Sequence, residues 1–121
     1  MMRSNHFIPS DPFGHTGSGC VELRRSRDAF ELLRDPFAFV LLSVIALRLR
    51  TAPGLAIDGL KQGEAMIGDH DRYGMTQAEY RNAKKRLEKY GLAVFRGTVQ
   101  GTVASLVGNT VFAIPPADDE E

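Results

Sequence analysis

Apolar positions recur with helical spacing over two stretches of this chain and cluster in short strand-like runs elsewhere. Across the stretch from Thr76 to Gly91, Tyr80, Ala83, Leu87 and Tyr90 share one side of a helix, because residues three and four apart stack along it. The opposite side carries Gln77, Arg81, Asn82, Lys85 and Lys89. The same stretch also encodes its own ends. Thr76 is placed to accept from the amide three residues on, and Glu79 to reach back to the Thr76 amide, which makes a capping box. Gly91 stands where a left-handed residue ends a helix. Two strand-like runs follow, Leu92 to Thr98 and Thr102 to Val107, with Gln100-Gly101 between them. A capped basic helix followed by a short hairpin is the pattern of a DNA-reading helix followed by a wing.

The second helical stretch has almost no polar side. Asp35 is a capping residue type, and Pro36 is pre-organised for the first helical position. Phe37, Phe39, Val40, Leu41, Leu42, Val44, Ile45, Ala46, Leu47 and Leu49 follow, with Arg48 and Arg50 where cations favour the helix dipole and Thr51 to Gly54 as the stop. A helix apolar all round is expected to be buried, either in its own core or against a second copy of the chain. Shorter signals complete the outline. Val21 to Arg24 reads as a strand, and Ser26 to Arg34 as a short helix with Ser26 as its cap. A strand is expected near Ala65 to Ile67, a one-turn helix over Asp69 to Tyr73 capped by Asp69 and closed by Gly74, and a last strand over Thr110 to Ile114.

Composition narrows the classes. The length of 121 residues suits one domain, and an apolar fraction of 43% can support a core. Fifteen cationic and fifteen acidic side chains cancel, so there is no global nucleic-acid signature. Their distribution is uneven: from Gln77 to Gly101 six cations (Arg81, Lys84, Lys85, Arg86, Lys89, Arg96) face two acids, Glu79 and Glu88. A local field of this kind attracts phosphate even on a neutral protein. Acids collect instead in the terminal Asp118-Asp119-Glu120-Glu121. Cys20 is the single cysteine, which leaves no intramolecular disulfide and fits a reducing compartment. The first residues lack an apolar signal core, and the run from Phe37 to Leu47 is too short to span a bilayer, so a cytoplasmic protein without membrane contact is expected. Residues 1–20 read as a disordered leader, 21–114 as the folded domain and 115–121 as an acidic disordered tail. That tail either solubilises the chain or folds back on the basic helix and competes with DNA.

The order strand, short helix, apolar helix, strand, short helix, turn, capped basic helix, hairpin resembles a winged helix-turn-helix. More narrowly, Val21 to Ile114 resembles the winged-helix domain of phage and plasmid replication initiators and DnaD-type primosome proteins. The residues that carry this likeness are Asp35-Pro36 with the apolar run, Gly63 to Ile67, Gly74-Met75-Thr76, Arg81 to Gly91, and Gly101-Thr102. The resemblance implies an α+β fold of three to four helices with a small antiparallel hairpin wing. It also implies double-stranded DNA as partner, in transcriptional regulation or replication. Two departures stand out. The segment Asp69 to Tyr73 is short and polar where such domains have an apolar second helix, and initiators usually carry a further domain beyond the point where this sequence stops. A stand-alone regulator therefore stands beside a replication role.

In a helix-turn-helix, the N-terminal part of the second helix reaches base edges in the major groove. Gln77, Ala78, Arg81, Asn82 and Lys85 occupy that position, and their types suit it: arginine pairs with guanine, glutamine or asparagine with adenine, and alanine meets a thymine methyl. Thr76 and the first amides suit a phosphate, and Lys89 and Arg96 the DNA backbone; the uncharged hairpin tip, with Gln100 and Thr102, either lies along the minor groove or is only a hairpin. A monomer would make ~4–6 phosphate contacts, which implies salt-sensitive binding and a use for a homodimer on two half-sites. The competing reading is an interaction module that assembles a replication or regulatory complex without DNA. No enzymatic role, metal or cofactor is expected. His6, His15 and Cys20 lack ligand spacing, Asp69-His70-Asp71 reads as a solvated turn, and no glycine-rich loop opens a helix after a strand.

Overall fold

The computed structural model describes residues 19–57 and 59–115. Among the described residues, three α-helices and five short strands follow one another in the expected order. They are β1 (Glu22–Leu23), α1 (Arg27–Leu32), α2 (Pro36–Arg48), β2 (Ala65–Met66), a 3-10 turn (His70–Tyr73), α3 (Gln77–Lys89), β3 (Ala93–Thr98), β4 (Gly101–Leu106) and β5 (Phe112–Ala113). The class is mixed α+β with antiparallel sheets. In the larger sheet β4 lies between β2 and β3, with Ala65 opposite Ala104 and Ala93 opposite Leu106. The predicted last strand, Thr110 to Ile114, shrinks to Phe112–Ala113 and does not join that sheet. It pairs instead with β1, Leu23 opposite Phe112, and ties the start of the described chain to its end. The predicted first strand, Val21 to Arg24, likewise shortens to two residues.

Helix α2 organises the interior. Ala38, Leu41, Leu42, Ile45 and Ala46 are buried on one side of it, against Ala65 and Ile67, Ala83 and Leu87 of α3, and Ala104 of β4. Each fully buried leucine or isoleucine contributes about 2 kcal/mol of transfer free energy, so this side of α2 is a main source of stability. Burial is one-sided, however. Phe37, Val40 and Leu47 remain substantially exposed, so the apolar surround of α2 is only in part an interior feature. The helix also stops at Arg48, short of the stop expected at Thr51 to Gly54, because Leu49 turns into extended backbone. Arg50 then exchanges backbone hydrogen bonds with the segment before β2, its amide donating to Glu64 and its carbonyl accepting from Gly63.

Both ends of α2 are clamped by side chains. At the N-terminus, Asp35 caps the helix by accepting from the Ala38 amide at 3.3 Å. The same carboxylate receives Arg86 of α3 through two bonds, Nε at 2.6 Å and an Nη at 2.9 Å, and the Tyr90 hydroxyl at 2.9 Å. At the C-terminus, Arg48 donates to both carboxylate oxygens of Asp69 and to the Met66 carbonyl. The cap expected of Asp69 on the 3-10 turn is therefore not made, since the long-range arginine takes both of its oxygens. Ser26 does cap α1, accepting from the Ala29 amide, while its hydroxyl donates to the Thr110 carbonyl.

These pairs set a pH dependence. The Arg86 guanidinium holds the Asp35 carboxyl below its ordinary value of 3.8, and Arg48 does the same for Asp69. A lowered carboxyl adds stability that is complete above the ordinary carboxylate range and drains away as pH falls through the depressed folded value. The Asp35→Asn variant keeps a capping side chain but loses the charge. It should be less stable than wild type by about 2 kcal/mol near neutrality. Its stability should also fall less steeply than wild type between about pH 5 and about pH 2, as urea unfolding at several pH values would measure.

Candidate nucleic-acid interface

Helix α3 starts and stops where its sequence says. Thr76 Oγ1 accepts from the Glu79 amide at 3.1 Å, and Glu79 accepts from the Thr76 amide at 2.9 Å, so both halves of the capping box form. Gly74 (φ 83°) and Gly91 (φ 74°) adopt left-handed backbone at the entrance and exit of the helix, where a side chain would be strained. The 3-10 turn is fastened to the helix start by two bonds. The Met75 amide donates to the His70 carbonyl, and the His70 Nδ1 lies 2.9 Å from the Met75 carbonyl. A carbonyl only accepts, so that nitrogen carries the proton. The His70 ring also stacks on Tyr80 at 5.4 Å between centroids, and the Tyr73 hydroxyl donates to the Ile67 carbonyl.

Burial then divides α3 into two halves. Tyr80, Ala83 and Leu87 face the core. Gln77, Ala78, Arg81, Asn82, Lys85 and Lys89 are exposed, and at 100° per residue they occupy one continuous arc opposite the buried side. Among the described residues, no ion pair engages Arg81, Lys85 or Lys89. Exposed Glu88 falls inside the same arc, so the surface is net cationic, with three cations to one acid, and carries polar amides at its N-terminal end next to the exposed Thr76.

Three of the six cations counted from Gln77 to Gly101 are engaged elsewhere: Arg86 and Lys84 in α3, and Arg96 in the hairpin. Arg86 is committed to Asp35. Lys84 is half-buried with its ammonium 4.5 Å from the Tyr80 ring centroid, and burial pulls its pKa below the usual lysine value. Tyr90, expected on the apolar side, is half-exposed and turns its hydroxyl to Asp35.

The hairpin contributes less to this surface than α3. Its turn falls at Val99-Gln100, one residue earlier than expected, because Thr98 pairs with Gly101. Thr98 Oγ1 closes it by accepting from the Gln100 amide and donating to the Gly101 carbonyl. Gln100 is exposed at the tip. Thr102 is half-buried beside the Tyr80 hydroxyl, without hydrogen-bond geometry to it, and its carbonyl accepts from the Ile67 amide. Arg96 of β3 is exposed but paired to both carboxylate oxygens of Glu64, at 3.0 and 3.1 Å. Glu64 is held in turn by the Lys61 amide, which keeps its carboxyl below the ordinary range. A phosphate at Arg96 must compete with that carboxylate.

Sequence reasoning did not single out Arg72, an exposed cation in the 3-10 turn just before α3, nor Asp35 and Glu64 as the acids that remove Arg86 and Arg96 from the free positive charge. Of the expected disordered ends, residues 1–18 and 116–121 lie outside the described residues. So do His6, His15 and the acidic tail with its competition for the Arg81 and Lys85 side. Cys20 is a free, exposed thiol. Among the described residues no group of three or more metal-ligating side chains occurs, and no helix is long and apolar enough to cross a membrane. No protein-family model, curated protein or solved structure matches this chain.

The two classes of polar contact at this surface should differ in their weight for stability. Replacing Thr76 with alanine removes the side-chain half of the capping box and should cost about 1 kcal/mol. Arg96→Gln opens a pair that is half in solvent and should cost less than about 1 kcal/mol. Chemical denaturation of the two variants beside wild type would check the ranking.

Proposed function

We propose that this chain is a winged helix-turn-helix DNA-binding protein, with α3 reading the major groove and the β3–β4 hairpin as its wing. The observation that carries the reading is the exposed arc of α3. Arginine, lysine, asparagine and glutamine stand together there, with no ion pair among the described residues, on a helix whose other side is buried and whose start is fixed by a capping box. Support also comes from the element order, which sets the β3–β4 hairpin directly after α3, and from the sheet order β2-β4-β3, which ties that hairpin to the strand before the 3-10 turn. The 3-10 turn fills the place of the first helix of a helix-turn-helix.

In this reading Arg81, Asn82, Gln77 and Lys85 meet base edges, Ala78 meets a thymine methyl, and Thr76 with the first amides of α3 holds a phosphate. Lys89 contacts the backbone, while Arg96 does so only by leaving or sharing Glu64. Gln100 approaches the minor groove, with Thr102 contributing at most its half-buried hydroxyl. The protein acts by binding, in the cytoplasm, as a transcriptional regulator or a replication-associated factor.

Fluorescence anisotropy on a random-sequence duplex pool tests this directly. Wild type should bind with a log–log salt slope of about −4 to −5, as expected for ~4–6 neutralised phosphates. The Arg81→Glu/Lys85→Glu variant should bind on the order of 100-fold more weakly while keeping its circular dichroism. Binding that ignores salt and both charge reversals would remove DNA from the account and leave an interaction module in its place.

A further inference from the structure

The outward side of α2 is the least explained surface of the molecule. Phe37 is 39% exposed, Val40 37% and Leu47 48%, and with the part-buried Val44 they form a stripe at i, i+3, i+7 and i+10. No charged residue occurs in α2 before Arg48. α1 precedes α2 by three residues and packs against it, and it adds Phe30 and Leu33, 71% and 53% exposed. At these exposures the six side chains present on the order of 500 Å² of apolar surface, near the upper end of what a monomer shows to water.

We infer that this surface is the interface of a two-fold homodimer. The area fits. Pairing the stripe with itself removes about 1,000 Å² of apolar surface before any polar rim is counted, the level at which specific interfaces begin. The charges fit as well. A two-fold contact sets a patch against its own copy, so it must be neutral or self-complementary. The centre of this patch is uncharged. The solvent-facing charges of and just after α1 cancel: Arg27 and Arg34 against Asp28 and Glu31. A partner recognised by charge would find no net field here.

The position of the patch gives the dimer a consequence for α3. The buried side of α2, toward which α3 packs, is opposite the stripe. Joining two copies through the stripe therefore leaves both α3 arcs on the outside, in the order α3, α2, α2, α3. The dimer does not rest on the proposed reading of α3, whose two arcs it leaves uncovered.

Sedimentation equilibrium of the full chain at tens of micromolar should return twice the 13.3 kDa chain mass. Val40→Lys/Leu47→Lys, at two surface positions of α2, should return the single mass with unchanged circular dichroism. Phe30→Glu on the outside of α1 tests the same side independently if that variant fails to fold. A wild type that sediments as one chain at every concentration overturns the dimer, whatever it does on DNA. A folded double variant that stays dimeric overturns the assignment to α2.

Discussion

The packing of α2 against α3 is the constraint from which the rest of this structure follows. Leu41, Leu42 and Ile45 lose all contact with water on one side of α2, and Ala83 and Leu87 do so on the facing side of α3. Burial alone is non-directional. What fixes the angle and register of the two helices is the Asp35 carboxylate, which serves the amide of Ala38, the guanidinium of Arg86 and the hydroxyl of Tyr90 together. A second clamp, Arg48 to Asp69, fastens the other end of α2 to the turn that leads into α3. Helix α3 is thus located at both ends through α2, and the hairpin that follows inherits that placement through Gly91.

That arrangement decides which cations are free. An arginine drawn into a carboxylate clamp has its field largely cancelled locally, so the positive surface is smaller than the sequence count suggests. Arg86 is used to hold α3, Arg96 is paired with Glu64, and Lys84 lies over Tyr80. Among the described residues no ion pair draws on Arg81, Lys85 or Lys89, which face solvent. The concentration of free charge on the α3 arc, away from the hairpin, puts the weight of any phosphate contact on the helix. The uncharged tip at Val99-Gln100 is left with shape and hydrogen bonding.

Local signals were the legible part. The Thr76–Glu79 capping box, Asp35-Pro36, Ser26 and the glycines at 74 and 91 each act within four residues of themselves, and each forms as its chemistry dictates. The exposed side of α3 was legible for the same reason, since helical spacing needs only one turn of context. Contacts between distant segments were not. Asp35 and Arg86 are 51 residues apart, and nothing near either announces the other. Asp69 has the residue type and place of a cap, yet Arg48, 21 residues away, offers two charge-assisted bonds where a cap offers one weaker bond. Pairing of β5 with β1 also depends on the whole chain being folded. The apolar run of α2 did predict burial, but a uniform pattern cannot say which side is covered, and only the tertiary arrangement separates Leu41 from Val40.

The central claim is that the exposed arc of α3 is the surface that meets DNA. An amide chemical-shift titration of the full chain with a short random-sequence duplex tests it residue by residue. The account predicts the largest perturbations from Thr76 to Lys85, smaller ones near Gln100, and little change in the buried amides of α2. Perturbations that spare α3 while DNA is bound, and collect elsewhere on the molecule, would contradict it.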